Sequence, residues 1–143
     1  MRVKVKKVSP GAIIPKLEHA GDAGFDLYSN EEMILKPMER KLVATGISIA
    51  IEKGFEAQVR PKSGLAINHG ITIPNSPGTI DAGYRGEIKV IMLNLGEKEY
   101  KVEKGKKIAQ LVFSRIEEPE IIEVKELDET KRGKGGFGST GLE

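Results

Sequence analysis

The chain has 143 residues, enough for one domain with a substantial hydrophobic core and too few for two of ordinary size. Its 23 lysines and arginines nearly balance its 21 aspartates and glutamates, so the net charge of +2 gives no overall attraction to nucleic acid or to an anionic membrane. The absence of cysteine excludes disulfides, thiolate metal sites and thiol nucleophiles. No apolar run approaches the roughly 18 residues of a membrane span, and the first residues lack the apolar centre of a signal peptide. We therefore expect a cytoplasmic protein with no nucleic acid or membrane partner.

Short segments in which apolar and polar residues alternate predict β-strands with one solvent-facing side. They include the segments 3–5, 47–51 and 55–59, the last two separated by a turn at Gly54. The single short helix is predicted from SGLAINHG, residues 63–70, with Ser63 as its N-cap and Gly70 as its end.

Later in the chain the segments 87–93 and 107–113 are almost continuously apolar, which predicts strands buried on both sides. Gly96 predicts a hairpin between them, and EIIEVKEL at 120–127 predicts a further strand. Many short strands spaced by roughly 8 to 12 residues indicate an all-β sandwich, jelly roll or barrel.

The chain ends on RGKGGFGSTGLE, in which glycine dominates. Glycine loses more backbone freedom on ordering than any other residue, so this segment is expected to be mobile until something orders it. We therefore divide the chain into a β domain at 1–130 and a flexible tail at 131–143.

A turn bounded by glycine, GTIDAGYRG at 78–86, holds Asp81 with Tyr84 three residues later. In an ordinary hairpin the carboxylate would accept hydrogen bonds from turn amides, Gly83 would have a positive φ, and Tyr84 would cover the strand. In a functional site the carboxylate would hold and activate a water beside an aromatic face for a ring. The pattern alone leaves both interpretations open.

Other polar side chains occur where a strand would not need them. Lys62 and Ser63 lie where the predicted helix begins, a position whose free amides attract anions. Asp26 is either a turn residue or a partner of the water shell of Mg²⁺. Gln110 interrupts an apolar run, so it either bonds backbone in the core or faces a ligand. In the tail, cations alternate with glycine amides that can surround oxygen atoms.

Five stretches of this chain resemble, in their order and in their residues, the five motifs of the trimeric deoxyuridine triphosphate nucleotidohydrolases (dUTPases). The stretches are AGDAGFDLYS, RPKSGLA, NSPGTIDAGYRG, GKKIAQL and RGKGGFGSTG, and the resemblance spans about residues 20–141. It implies a jelly-roll (β-clip-like) homotrimer whose active sites draw loops from more than one subunit. It also implies Mg²⁺-dependent hydrolysis of dUTP to dUMP and pyrophosphate, which clears dUTP and supplies dUMP for thymidylate synthesis.

The same resemblance assigns roles to residues of this chain. Asp81 matches the catalytic carboxylate that activates the water attacking the α-phosphorus, and Tyr84 the aromatic residue that lies against the deoxyribose and excludes a 2′-hydroxyl. Asn75 matches the asparagine of the hairpin at 75–87 that reads uracil, and Asp26 the carboxylate that contacts metal-bound water. The tail is implied to close over the nucleotide, in a neighbouring subunit's site, with Phe137 stacked on uracil. The other residues implied to bind substrate are Lys62, Ser63, Gly64, Gln110, Arg132, Gly138 and Ser139, with Thr140 as a further donor.

Two departures and two alternatives accompany this interpretation. Lys62 stands where the family usually has arginine, which keeps the charge but loses the bidentate fork. Gly83 stands where some relatives have a second acidic residue, which leaves Asp81 as the carboxylate of this turn. One alternative is a dCTP deaminase, or a bifunctional deaminase with dUTPase activity, on a related fold, which the form of the tail disfavours. The other is a nucleotide sensor that binds without hydrolysis. An all-β structural domain without a site is a plainer interpretation than either.

Overall fold

The computed structural model describes residues 1–139, and within them eleven β-strands and one short helix. The helix, α1, is Ser63–His69. The strands are β1 (Lys4–Lys7), β2 (Gly24–Tyr28), β3 (Met33–Leu35), β4 (Arg40–Ala44), β5 (Ile47–Ala50), β6 (Phe55–Arg60), β7 (Ile71–Thr72), β8 (Gly78–Ile80), β9 (Lys89–Asn94), β10 (Tyr100–Val102) and β11 (Lys107–Arg115).

All pairs of strands are antiparallel and form two larger sheets, ordered β2-β11-β6-β8 and β4-β9-β7, with two-stranded sheets β1-β5 and β10-β3. Aliphatic side chains from both larger sheets fill one core, among them Leu27 and Leu111 from the first sheet and Val43 and Met92 from the second. Because strands with one solvent-facing side supply this core from their other face, the alternating pattern correctly predicted β1, β5 and β6. The predicted all-β class with one short helix is confirmed.

The two continuously apolar segments differ in outcome: β9 is not buried on both sides as predicted, whereas part of β11 is. In β9 burial alternates, and Ile91 and Leu93 on the outer face are only half-buried because no other layer of the described chain covers them. In β11 the neighbours Leu111 and Val112 lie on opposite faces of the strand and are both buried, as predicted. A bulge between Lys107 and Ala109 accounts for the burial of both Ile108 and Ala109.

The predicted hairpin at Gly96 is wrong, because β9 pairs with β4 and β7 while the following β10 pairs with β3. The buried side chain of Asn94 directs this crossing between sheets. Its amide nitrogen donates to the carbonyl oxygens of Leu35 (3.0 Å) and Lys98 (2.8 Å), and its oxygen accepts from the amide of Gly96 (2.8 Å).

The strand predicted at 120–127 is also wrong, since the described chain after β11 contains no further strand. Its apolar side chains, Ile121, Ile122, Val124 and Leu127, are exposed. An alternating pattern predicts a strand only where a neighbouring edge supplies hydrogen bonds, and this segment pairs with no edge of its own chain.

The helix prediction is confirmed over its full length, with one correction at its start. Lys62, in extended conformation, occupies the N-cap position, so Ser63 is the first helical residue and caps nothing. Gly70 ends the helix with φ 68°. No helix within residues 1–139 has the length and apolar character needed to cross a membrane.

Candidate active site

The first pocket, of about 470 Å³, lies beside β8 and the loop that follows it. Asn75, Asp81 and Tyr84 all line it, so the structure brings three of the predicted site residues together. Gly78 makes room for Asn75, because a Cβ at Gly78 would lie 3.1 Å from the Asn75 side-chain nitrogen. The remaining lining residues are Leu42, Val59, Ile73, Gly78, Thr79, Ile80, Glu87, Ile88, Lys89 and Ile91.

Asp81 is exposed, and its carboxylate makes no hydrogen bond or ion pair with any residue in 1–139, although its carbonyl accepts from the amide of Tyr84 (3.0 Å). Gly83 does not have the positive φ that an ordinary hairpin requires. The strands on either side of the loop, β8 and β9, belong to different sheets and do not pair. The loop therefore leaves the carboxylate free for a ligand instead of using it in a hairpin turn.

The side chain of Tyr84 is held by contacts with its own loop. Its hydroxyl donates to the carbonyl of Glu87 (2.9 Å), and a Cβ at Gly86 would lie 2.3 Å from the hydroxyl oxygen, so only glycine permits this approach. The guanidinium of Arg85 donates to the carbonyls of Ala82 (2.6 Å) and Tyr84 (2.8 Å) and so braces the turn. Tyr84 as a whole is 46% exposed and lines the first pocket.

The second pocket, of about 350 Å³, contains three further predicted residues. Asp26 from β2, Lys62 from the start of α1 and Gln110 from β11 line it together with Lys107. Asp26 and Gln110 are cross-strand partners, so their side chains lie on one face of the sheet. The remaining lining residues are Glu18, Asp22, Ala23 and Gly24.

Asp26 is the electrostatic centre of this pocket. It is only 5% exposed, with Lys62 Nζ 2.5 Å from Oδ1 and Lys107 Nζ 2.7 Å from Oδ2. Burial raises the pKa of Asp26, but the hydrogen bonds from Lys107 and Lys62 outweigh it and hold the pKa below its usual value. Lys107 also donates to Glu18 Oε2 (2.7 Å), and these bonds to Asp26 and Glu18 raise the pKa of the Lys107 ammonium. Asp26 is therefore an anion flanked by two cations.

Gln110 is held by its neighbours in a defined position. Its Nε2 donates to the carbonyl of Pro61 (2.9 Å), and a Cβ on Gly24 would lie 2.2 Å from its Oε1. The side chain thus lies over a glycine, and its amide is oriented by the backbone just before α1. Gln110 bonds backbone and lines a pocket at the same time, which reconciles the two interpretations that its position in the sequence left open.

The structure does not bring all of the predicted residues to one place. The first and second pockets have no lining residue in common. Ser63 and Gly64 are exposed in the first turn of α1, next to Lys62. Arg132, Phe137, Gly138 and Ser139 line neither pocket, and Phe137 is fully exposed with φ 51°. Thr140 and the rest of the predicted tail lie outside the described residues.

Two residues that form ion pairs in the second pocket, Lys107 and Glu18, were not predicted. Lys107 lies in the stretch GKKIAQL, and simple alternation would place it on the face opposite to Gln110. The β-bulge between Lys107 and Ala109 brings both side chains to the same pocket. Glu18 comes from an irregular segment before β2, and its pattern in the sequence gives no signal for this contact.

The fold and the two pockets together define a class of protein. An all-β domain carries a free carboxylate beside an aromatic ring in one pocket and a lysine-lined polar site in the other, as a nucleotide-processing enzyme requires.

The family follows from comparison with known proteins. The model of the dUTPase family matches residues 11–141. A Clostridium kluyveri protein named deoxyuridine 5'-triphosphate nucleotidohydrolase is 60% identical over 141 residues, covering 99% of both chains. A protein of the same name from Wolinella succinogenes is 52% identical over 99% of this chain and 95% of its own. This chain belongs to the dUTPase family.

Solved structures agree with this assignment. A mutant dUTPase of Staphylococcus bacteriophage 80alpha, with dUpNHpp, superposes with a TM-score of 0.92 at 29% identity over 99% of both chains. A mutant dUTPase from phage phi11 of S. aureus, described as coordinating a structural Mg(II) ion, has a TM-score of 0.83 at 26% identity over 90% of this chain and all of its own. The predicted jelly-roll-like fold is confirmed.

Proposed function

We propose that this chain hydrolyses dUTP to dUMP and pyrophosphate. The observation that carries this proposal is the free carboxylate of Asp81 beside the held ring of Tyr84, in a chain of the dUTPase family. In the cytoplasm this activity would clear dUTP from the nucleotide pool and supply dUMP for thymidylate synthesis.

Asp81 is proposed as the general base. Its carboxylate is exposed and has no partner among residues 1–139, so it can accept a proton from a water placed against the α-phosphorus. An acceptor of this kind holds the water in the orientation for attack, so the entropy cost of orienting it no longer adds to the activation barrier. Asp81 thus both binds the nucleophile and receives its proton.

Tyr84 and Asn75 are proposed to select the nucleoside. Because the ring of Tyr84 is fixed by its bond to Glu87, a sugar lying against it has little room for a 2′-hydroxyl. Steric exclusion is needed here, since a pocket that merely tolerates an added hydroxyl discriminates by only about 10²-fold. Asn75, which precedes β8 and lines the same pocket, is proposed to orient the base.

The second pocket is proposed to bind the phosphates and the water shell of Mg²⁺. Residues 1–139 of one chain contain no group of three His, Asp or Glu side chains arranged to hold a metal. A single buried carboxylate, Asp26, fits an ion that is carried by the triphosphate and keeps its waters. Mg²⁺ bound in this way would neutralise the phosphate charge. Lys62, Ser63, Gly64 and Gln110 supply the donors for the phosphates.

We propose further that the complete site is shared in a homotrimer. The phosphate-side and nucleoside-side pockets are separate within one chain, and apolar residues that would otherwise be buried are exposed on the outer face of β4 and after β11. The tail, with Arg132, Phe137, Gly138 and Ser139, is proposed to close over the nucleotide. Residues 116–139 contain no helix or strand and are almost all exposed, which supports a segment that can move.

A substrate panel with the variant Asp81→Asn tests this function. The wild type should release pyrophosphate from dUTP in Mg²⁺ and act poorly on UTP, dTTP and dCTP. Asp81→Asn should lose about 10²- to 10⁴-fold in kcat and retain the fold, while Asp128→Asn, the same change at an exposed residue outside both pockets, should behave as wild type. Ammonia release from dCTP would establish the deaminase instead, and saturable binding of dUTP without pyrophosphate release would establish a sensor.

A further inference from the structure

Four charged side chains form a chain of contacts in the second pocket, and two of them have no part in the function proposed above. Asp26 contacts Lys62 through one carboxylate oxygen and Lys107 through the other, and Lys107 also contacts Glu18. The signs alternate along the series Lys62, Asp26, Lys107, Glu18. These four charges sum to zero.

The two lysines are held unequally. Lys62 forms one ion pair, with Asp26, whereas Lys107 bridges Asp26 and Glu18 at 2.7 Å each. A triphosphate entering the pocket can draw Lys62 away by breaking a single ion pair, but it would have to break two to move Lys107. Lysine is a compact charge on a flexible stem, so such an exchange needs only side-chain rotations.

Departure of Lys62 changes the charge of what remains. Glu18, Asp26 and Lys107 together carry one net negative charge, and one oxygen of Asp26 becomes available. Since Asp26 and Lys107 cancel each other, Glu18 is the source of that negative charge. A hard, hydrated divalent cation is attracted more strongly by this arrangement than by the neutral group of four.

We infer that Glu18 is a positioning residue for the metal-carrying substrate: it holds Lys107 beside Asp26, so that Lys62 is the lysine that moves to the phosphates and the remaining group attracts Mg²⁺. This inference rests on the proposed function, because it requires a triphosphate substrate that brings Mg²⁺. Glu18 precedes the first of the five motif-like stretches, so the resemblance assigns it nothing.

The chain offers a matched control for a test of Glu18. Glu32 and Lys101 form another surface ion pair at 2.7 Å, with side chains 59% and 56% exposed, against 57% and 38% for Glu18 and Lys107. Glu18→Gln and Glu32→Gln remove the same charge and break the same kind of pair. Neither ion pair lines the first pocket, and only the pair of Glu18 with Lys107 lines the second.

The experiment measures the affinity for dUpNHpp in saturating Mg²⁺ and in EDTA, the affinity for dUMP, and the Tm. For Glu18→Gln, the improvement in dUpNHpp affinity brought by Mg²⁺ should shrink about three- to tenfold, as expected for one charge a few ångströms from a divalent ion in a solvated pocket. In EDTA the affinity should stay equal or rise, because the pocket is more positive. The dUMP affinity and the Tm should be unchanged, and Glu32→Gln should match wild type throughout.

The outcomes separate the inference from the function. Glu18→Gln with the full Mg²⁺ improvement would overturn the inference and leave the proposed function standing. Equal losses in Mg²⁺, in EDTA and for dUMP would show a merely structural role and would overturn it as well. Partial recovery in Glu18→Asp, which restores the charge on a shorter stem, would support it. A wild type that binds dUpNHpp equally well with and without Mg²⁺ would overturn both the metal's proposed role and the inference.

Discussion

Gly24→Ala tests whether the position of Gln110 matters for binding phosphates. A Cβ on Gly24 would lie 2.2 Å from Gln110 Oε1, 3.1 Å from Cδ and 3.3 Å from Cβ, so the glutamine side chain has to move aside. Gly24 does not have a positive φ, and alanine therefore adds no backbone strain. The perturbation acts on the glutamine and on little else.

The expected loss of stability is small. Displacing Gln110 breaks its hydrogen bond to the Pro61 carbonyl (2.9 Å), which costs about 0.5 to 1.5 kcal/mol. Replacing glycine by alanine restricts the unfolded chain and recovers about 0.4 to 1 kcal/mol. The two contributions largely offset each other, so the free energy of unfolding should fall by about 1 kcal/mol or less.

The expected loss of binding is larger. If the Gln110 amide donates to a charged phosphate oxygen, its displacement should cost about 1.5 to 3 kcal/mol, or roughly 10- to 100-fold in dUpNHpp affinity. The affinity for dUMP should change less, because most of the phosphates are missing. Calorimetric titration of both ligands and urea unfolding measure these quantities.

A double-mutant cycle with Gln110→Ala isolates the cause. In the Gln110→Ala background no long side chain opposes the new methyl group, so Gly24→Ala should have almost no further effect on dUpNHpp affinity. An equal loss from Gly24→Ala in both backgrounds, or wild-type affinity in the single variant, would refute the reasoning.

Three further predictions concern the charge cluster, the core and the tail. Burial raises the pKa of Asp26, but the two lysines hold that pKa below the usual 3.8. The contribution of the ionised Asp26 to stability is therefore present above about pH 4 and is lost as the pH falls further. In chemical unfolding, the stability difference between wild type and Asp26→Asn should shrink below that pH. Gly70→Ala should lower the free energy of unfolding by about 1 to 3 kcal/mol more than Gly54→Ala does. Both glycines have positive φ, but only a Cβ at Gly70 would meet backbone, 2.6 Å from the nitrogen of Gly96. Equal urea midpoints for the two variants would contradict this. Truncation after Thr130 should leave a folded protein that binds dUMP but hydrolyses dUTP very poorly, and near-normal kcat would exclude a closing tail.

Local features were predicted from the sequence because they depend on neighbouring residues. The strand at Phe55–Arg60 follows from alternation, and the helix end follows from a glycine that tolerates a left-handed conformation. Pairing between distant strands was not predictable in this way. β10 follows β9 closely in the chain but pairs with β3, because the buried amide of Asn94 bonds to Leu35 across the sheets.

The same distinction applies to the candidate site. Asp26, Lys62 and Gln110 were predicted through their motif-like stretches, and the structure places them in one pocket. Glu18 was missed because its importance depends on a contact with Lys107, 89 positions away in the chain. A surface glutamate in an irregular segment looks like any other solvated charge, and only the three-dimensional arrangement distinguishes it.

The separation of the two pockets has a consequence that mixing of variants can measure. If each site takes Asp81 from one subunit and Gln110 from another, then Asp81→Asn and Gln110→Ala damage different contributors to it. Refolding the two variants together in equal amounts should then produce about one site in four with both residues intact, since each position is filled at random from two kinds of subunit. Hydrolysis of dUTP by the mixture should therefore approach a quarter of the wild-type rate, well above the mean of the separate variants. If both residues act within the same chain, every site carries one of the defects, and a mixture no more active than that mean would exclude the shared site.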